Sequence, residues 1–236
     1  MLYPIQNKYR GILEVTGLWK FKPDPGDVGE NEKWFNGFES DLDIAVPGSW
    51  NEQLEEVGLL HYVGSAWYSK KVFFPKELSD KKIWFRVGSA DYCTKVWING
   101  KFVGDNHFGF MPFEFIINNA VSPGEEAEVV IRVNNELSHE SIPQGITSDQ
   151  YGIENRLREE TYPPARFDFS PFGGIHRPVQ VITTPHLCLN QIKVSTKYSD
   201  GKGSAQVFIS SDKCDSGEVF LQVKGNNSLV TTKTEL

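Results

Sequence analysis

Cysteine is scarce in this chain of 236 residues, where Cys93, Cys188 and Cys214 are all there is. They form neither a CxxC pair nor an even framework, which suits a reducing compartment and argues against a structural zinc site. Histidine is also sparse. His61, His107, His139, His176 and His186 never fall at HxxxH or HxH spacing, so no compact metal set is expected. No window approaches the run of about 20 apolar residues that a membrane helix needs, and MLYPIQNKYRG lacks a basic start followed by an apolar stretch. The expected compartment is the cytoplasm, with no membrane partner. Positive charge is in deficit as well: a net charge of −7 and a pI near 5.3 give no electrostatic reason to approach nucleic acid. GxSxG, P-loop and dinucleotide fingerprints are missing, which leaves serine-nucleophile chemistry, nucleotide binding and a cofactor unsupported.

What the chain does have is alternation. In Lys82 to Val87, Ile83, Phe85 and Val87 fall on one face and Trp84 and Arg86 on the other, as in a half-buried strand. Glu128 to Val133 repeats the pattern. Lys95 to Ile98 and Lys101 to Val103 flank Asn99-Gly100, the dipeptide that best tolerates the positive φ angles of a type I′ hairpin. Further strands are expected at Gly17 to Lys22, Trp67 to Phe74, Pro112 to Ile117 and Arg177 to Thr183, with only short helical turns, for example at Asn51 to Glu56 and Ile153 to Glu160. Trp34, Trp50, Trp67, Trp84 and Trp97 lie on separate elements, and core or edge packing suits them better than a sugar platform.

Many short strands with long connections predict an all-β fold, an antiparallel jelly-roll sandwich over residues 1–185. A second pattern follows in residues 186–236. Gln191 to Thr196, Ala205 to Ser210, Glu218 to Lys224 and Ser228 to Thr232 alternate, with turns at Asp200-Gly201 and Gly225-Asn226-Asn227. Their spacing suits an immunoglobulin-like sandwich, which takes about 100 residues and seven strands. Only part of one fits here, so a truncated domain with an open apolar face is expected.

The connection from Ser138 to Arg166 exceeds the usual loop, since structureless loops beyond about 12 to 15 residues are uncommon unless functional or disordered. It runs into Tyr162, Phe167, Phe169 and Phe172, with the carboxylate of Asp168 among the rings. Aromatic faces pack on the C–H faces of sugars and carboxylates accept hydrogen bonds from vicinal hydroxyls, so Asp168 is the candidate substrate-binding residue. The alternative is that Asp168 caps a turn before Gly173-Gly174 and the phenylalanines are core.

Here the strings VPGSWNEQ (Val46 to Gln53), NGKFVGDNHFGFMPFE (Asn99 to Glu114), VNNELSHESIPQG (Val133 to Gly145) and FDFSPFGGIHRPVQVITTP (Phe167 to Pro185) become informative together. Over nearly the whole chain the sequence resembles the start of a β-glucuronidase of glycoside hydrolase family 2. The resemblance implies a galactose-binding-like jelly roll, a glucuronide or other glycoside substrate, and a homo-oligomeric enzyme. Its catalytic (β/α)8 barrel would lie in a later part of the same polypeptide. It also implies that Asp168, aligned back from Gly174-Ile175-His176-Arg177, contacts the bound sugar. An anionic Asp168 would repel a uronate carboxylate, so its role would be to hold hydroxyls. Ser170-Pro171 and Arg166 depart from the commoner family pattern at that point.

No catalytic residue is expected in this chain. A retaining glycosidase needs two carboxyl groups about 5 to 5.5 Å apart, and the family supplies both as barrel glutamates, the acid/base after an asparagine. Asn31-Glu32, Asn51-Glu52 and Asn135-Glu136 share that dipeptide, but no (β/α) repeat exists to present them, and solvated or turn-capping groups are the expectation. His176 in GIHRP is expected to be an orienting hydrogen-bond partner in a strand. Three functions stay open: the non-catalytic portion of a glucuronidase-like hydrolase, a stand-alone carbohydrate-binding module, and an assembly domain. Within the family, β-galactosidase and β-mannosidase are the neighbouring activities, and VNNELSHESIPQG favours the glucuronidase branch.

Overall fold

The computed structural model describes residues 3–137, 141–142, 172–211, 218–224 and 229–235. The chain divides into two compact units, Met1–Thr183 and Thr184–Leu236. The first contains β1 (Gly11–Glu14), β2 (Gly17–Asp24), β3 (Leu42–Val46), β4 (Gly48–Ser49), α1 (Trp50–Gln53), β5 (Ser65–Phe73), β6 (Lys82–Asp91), β7 (Cys93–Ile98), β8 (Lys101–Asn106), β9 (Phe113–Ile116), β10 (Glu126–Asn134) and β11 (Gly174–Thr184). Six strands form one sheet in the order β3-β2-β5-β10-β7-β8, and five form the other, β1-β11-β6-β9 with β4 on β11. The fold is an all-β jelly-roll sandwich.

Alternation decides which residues close the sandwich. Ile83, Phe85 and Val87 of β6 and Val179 and Val181 of β11 meet Phe21, Tyr68, Val96, Val129 and Ile131 of the opposite sheet in one buried cluster. Each such side chain stabilises the fold by about 1.5–3 kcal/mol when fully removed from water. The six-stranded sheet is not half-buried, as alternation alone would suggest. On its outer face Trp67, Trp97 and Val130 form a second cluster, covered by Trp34, Phe35 and Phe38. Trp67 stacks on Trp97 with centroids 5.3 Å apart, and Phe35 stacks on Trp97 at 5.8 Å. Asp24 pins this cover: its carboxylate accepts the Val28 and Gly29 N–H groups and the Trp67 indole N–H, at 2.8, 2.9 and 3.0 Å.

Asn99 and Gly100 take φ values of 51° and 73° and join β7 to β8, with Ile98 opposite Lys101. That is the type I′ hairpin the dipeptide predicts. The turn expected at Asn51 to Glu56 is α1 followed by a 3-10 turn at Glu55–Val57. The one expected at Ile153 to Glu160 lies outside the described residues.

The second unit holds two antiparallel hairpins, β12 (Leu189–Ser199) with β13 (Lys202–Ser211), and β14 (Glu218–Lys224) with β15 (Leu229–Glu235). Asp200-Gly201 again turns the chain through positive φ, 53° and 74°. Register places Ile192 opposite Ile209 and Val194 opposite Val207, so one face of β12–β13 is apolar. Ile192 and Val194 are 60% and 57% exposed.

Candidate functional site

The long connection leaves the sandwich after β10 and returns at β11, and its described ends are held by buried asparagines. Asn51, fully buried behind the Ser49 cap of α1, donates from Nδ2 to the carbonyls of Leu59, Leu60 and Tyr62 at 3.1, 2.9 and 3.2 Å. Its Oδ1 accepts the Gly173 N–H at 2.8 Å, which ties down the returning chain. Asn135 holds the departing chain: its Nδ2 donates to the same Tyr62 carbonyl at 3.2 Å and its Oδ1 accepts the Gly64 N–H at 2.9 Å. Both ends of the connection therefore converge on one oxygen atom. Gly173 is required there, because a Cβ would fall 1.9 Å from Cζ2 of Trp50.

A second tie joins the same two ends. The Gly109 N–H donates to the Ile142 carbonyl at 3.1 Å, and Phe108 bridges Ile142. The adjacent Phe110 is gripped on both sides of its own backbone. Its N–H donates to Asp91 Oδ1 at 2.9 Å, and its carbonyl accepts from Arg177 Nη1 at 2.7 Å. Phe110 sits at φ 63°, a left-handed conformation that a bulky L-residue avoids unless its surroundings impose it. His176 Nε2 approaches Asp91 Oδ2 to 3.2 Å, a charge contact without hydrogen-bond alignment.

Burial raises the Asp91 carboxyl above its ordinary value, opposed by the nearby His176, the Phe110 N–H, Arg177 and the Ser89 hydroxyl. Burial, then the Asp91 charge, pushes the Tyr92 hydroxyl upward as well. Beside this group Cys93 Sγ lies 3.7 Å from His107 Nδ1, and His107 Nε2 lies 3.1 Å from Asp105 Oδ2.

Asp168 lies outside the described residues, as do Tyr162, Phe167 and Phe169. His176 is on β11, as expected of a strand residue. In the Asn51-Glu52 dipeptide the glutamate is solvent-exposed as expected, but Asn51, like Asn135, is fully buried and holds the base of the connection. Asn31 and Glu32 are exposed, and Glu32 accepts the Trp34 indole N–H at 2.9 Å. Trp50, Trp67 and Trp97 are core; Trp34 and Trp84 are half-buried, with the ammonium groups of Lys22 and Lys82 over their rings. Among the described residues no group of His, Cys, Asp and Glu is placed to hold a metal ion, and no helix is long and apolar enough to cross a membrane. Asp91 and Phe110 were not singled out from sequence.

Two antiparallel sheets in this order, with a long connection pinned at its base, define a jelly-roll sandwich domain. Residues 12–185 match the glycosyl hydrolases family 2 sugar binding domain, and the chain belongs to that family. It is 31% identical over 227 residues to a β-glucuronidase of Paenibacillus borealis, covering 95% of this chain and 37% of that protein. Against the β-glucuronidase of Homo sapiens the identity is 31%, covering 89% and 34%. Among solved structures, the Ruminococcus gnavus β-glucuronidase in complex with uronic isofagomine superposes with a TM-score of 0.85 at 30% identity, over 98% of this chain and 38% of that one. The same enzyme in complex with D-glucuronic acid gives 0.83 at 29% identity, over 98% and 40%. The chain thus spans about a third of the length of the curated relatives it matches.

Proposed function

We propose that this chain is the amino-terminal, non-catalytic portion of a β-glucuronidase-like retaining glycoside hydrolase acting on glucuronides. The jelly roll of residues 1–185 contributes the segment bearing Asp168 to the mouth of the active site, where its carboxylate accepts hydrogen bonds from sugar hydroxyls. Residues 186–236 begin an immunoglobulin-like sandwich, a reading supported by two antiparallel hairpins, the first of which has an open apolar face. The two catalytic glutamates belong to a barrel elsewhere in the same polypeptide, which assembles as a homo-oligomer in the cytoplasm.

The observation that carries this reading is the double closure at Tyr62. Four residues of buried or backbone-gripped framework, Asn51, Asn135, Gly173 and Ile142, are committed to holding the ends of one segment. That investment of buried polar groups suits a segment with a fixed task better than a simple connection. Kinetics test it. In an enzyme carrying this chain ahead of a family 2 barrel, Asp168→Ala should lower kcat/KM for a p-nitrophenyl glucuronide by roughly 10- to 100-fold, the worth of a charge-assisted hydrogen bond. Unchanged kinetics would sink the sugar contact, and a faster rate on the matching galactoside or mannoside would redirect the specificity.

A further inference from the structure

We infer that Asp91 is a positioning residue: by accepting the Phe110 N–H it fixes the Phe108–Met111 turn, and through that turn it sets where the Asp168-bearing segment starts and ends. The chain of contacts is continuous. Ile142, the last described residue before the segment, hangs on Gly109 and Phe108. Phe110 hangs on Asp91 from one side and on Arg177 from the other. Arg177 and its neighbour His176 stand at the beginning of the strand into which the segment returns. One turn therefore joins departure to return, and Asp91 is its buried support.

Two features set this turn apart from an ordinary surface loop. Phe110 is held in a left-handed conformation, and such outliers persist only where the surroundings over-determine them. Its ring packs edge-on against the buried Tyr92, with centroids 5.9 Å apart, yet stays 48% exposed, and Phe108, Met111 and Ile142 beside it are exposed as well. Gly109 beneath packs so closely on Tyr92 that a Cβ would come within 2.5 Å of the ring. The buried Asp91 carboxylate and the half-buried Arg177 guanidinium fix the backbone while about half or more of each of these apolar side chains stays exposed, which core packing alone does not produce. Asp91 acts through backbone geometry and touches no substrate itself.

The inference rests on the reading of the Asp168 segment as sugar-facing, but its test needs no sugar. Amide hydrogen exchange measured residue by residue on the 236-residue chain isolates the anchor. Asp91→Ala should speed exchange at Phe110 and Gly109 on the order of tenfold, with the Asn99 and Asn135 amides within about twofold of the unaltered chain. Asp91→Asn keeps an oxygen acceptor and should stay within about threefold at all four amides. Arg177→Met, which removes the grip on the Phe110 carbonyl, should reproduce the Asp91→Ala pattern and serves if that variant does not fold. Equal acceleration at all four amides, no acceleration at Phe110, or an Asp91→Asn variant as perturbed as Asp91→Ala would each overturn the proposal. Silent Asp168→Ala kinetics would remove the sugar reading and leave this anchor standing, so the two fail separately.

Discussion

Asn51→Ala is the substitution whose cost the structure defines best. The side chain is fully buried and makes two acceptor contacts, to the Gly173 N–H and the Ser49 hydroxyl, and three donor contacts. Its removal leaves the buried Gly173 N–H without its acceptor, at about 1–3 kcal/mol, because a stranded buried donor bears its full desolvation penalty. The carbonyls fare better. Leu59 O also accepts from the Tyr62 N–H, and Tyr62 O from Asn135 and the Trp50 indole, so each lost bond there costs only its modest net value, about 1 kcal/mol. The expected total is about 3 kcal/mol. For a domain of this size that lowers Tm by about 6–12 °C, read by differential scanning calorimetry with urea unfolding as a check that the m-value is unchanged. Asn135→Ala shares the Tyr62 acceptor, and with both asparagines gone that buried carbonyl keeps only the Trp50 indole at 3.4 Å, so the double variant should exceed the summed losses by about 0.5 kcal/mol or more. A drop below about 2 °C for Asn51→Ala, or strict additivity, would refute the shared-carbonyl account.

Two further outcomes follow from the same reasoning. The folded state holds the Asp91 proton above the ordinary 3.8, so the stability linked to it is fully present below that value and is lost as pH rises through the folded pKa. Asp91→Asn abolishes this loss, and its Tm relative to the unaltered chain should climb across that interval; a flat difference over the same pH series would contradict it. Changing Ile192 and Val194 to lysine, both more than half exposed, should leave Tm within about 2 °C and reduce self-association in sedimentation velocity. A large loss of stability would show that the face is already covered.

Strand positions were readable because a period of two survives local noise. Ile83, Phe85 and Val87 all point into the sandwich, and Asn99-Gly100 and Asp200-Gly201 turn as their left-handed tolerance predicts. β1, β3 and β4 escaped sequence reading: they are four, five and two residues long, and β3 begins with Leu42-Asp43, where an aspartate weakens the strand signal. The doubly covered sheet was not legible either, since Val130 alternates like a solvent-facing residue until Trp34, Phe35 and Phe38 fold over it. At the site the limit is of another kind. Asn51 and Asn135 read as polar turn residues, because a side chain that pairs with carbonyls 8 to 73 positions away leaves no local pattern. Asp91 and Phe110 are joined across 19 positions, and only the left-handed φ of Phe110, invisible in sequence, marks the pair.

The convergence of both loop ends on the Tyr62 carbonyl separates what must stay constant from what is free to diverge. Once the ends are fastened to the sandwich, length between them weighs little on folding, since each doubling of a flexible loop costs only about 0.6 kcal/mol in closure entropy. Insertions and deletions between Ile142 and Phe172 therefore leave the ties of the framework in place. Selection for a new ligand acts on that stretch without retesting the fold, which makes the Tyr62 junction a natural splice point for loop libraries.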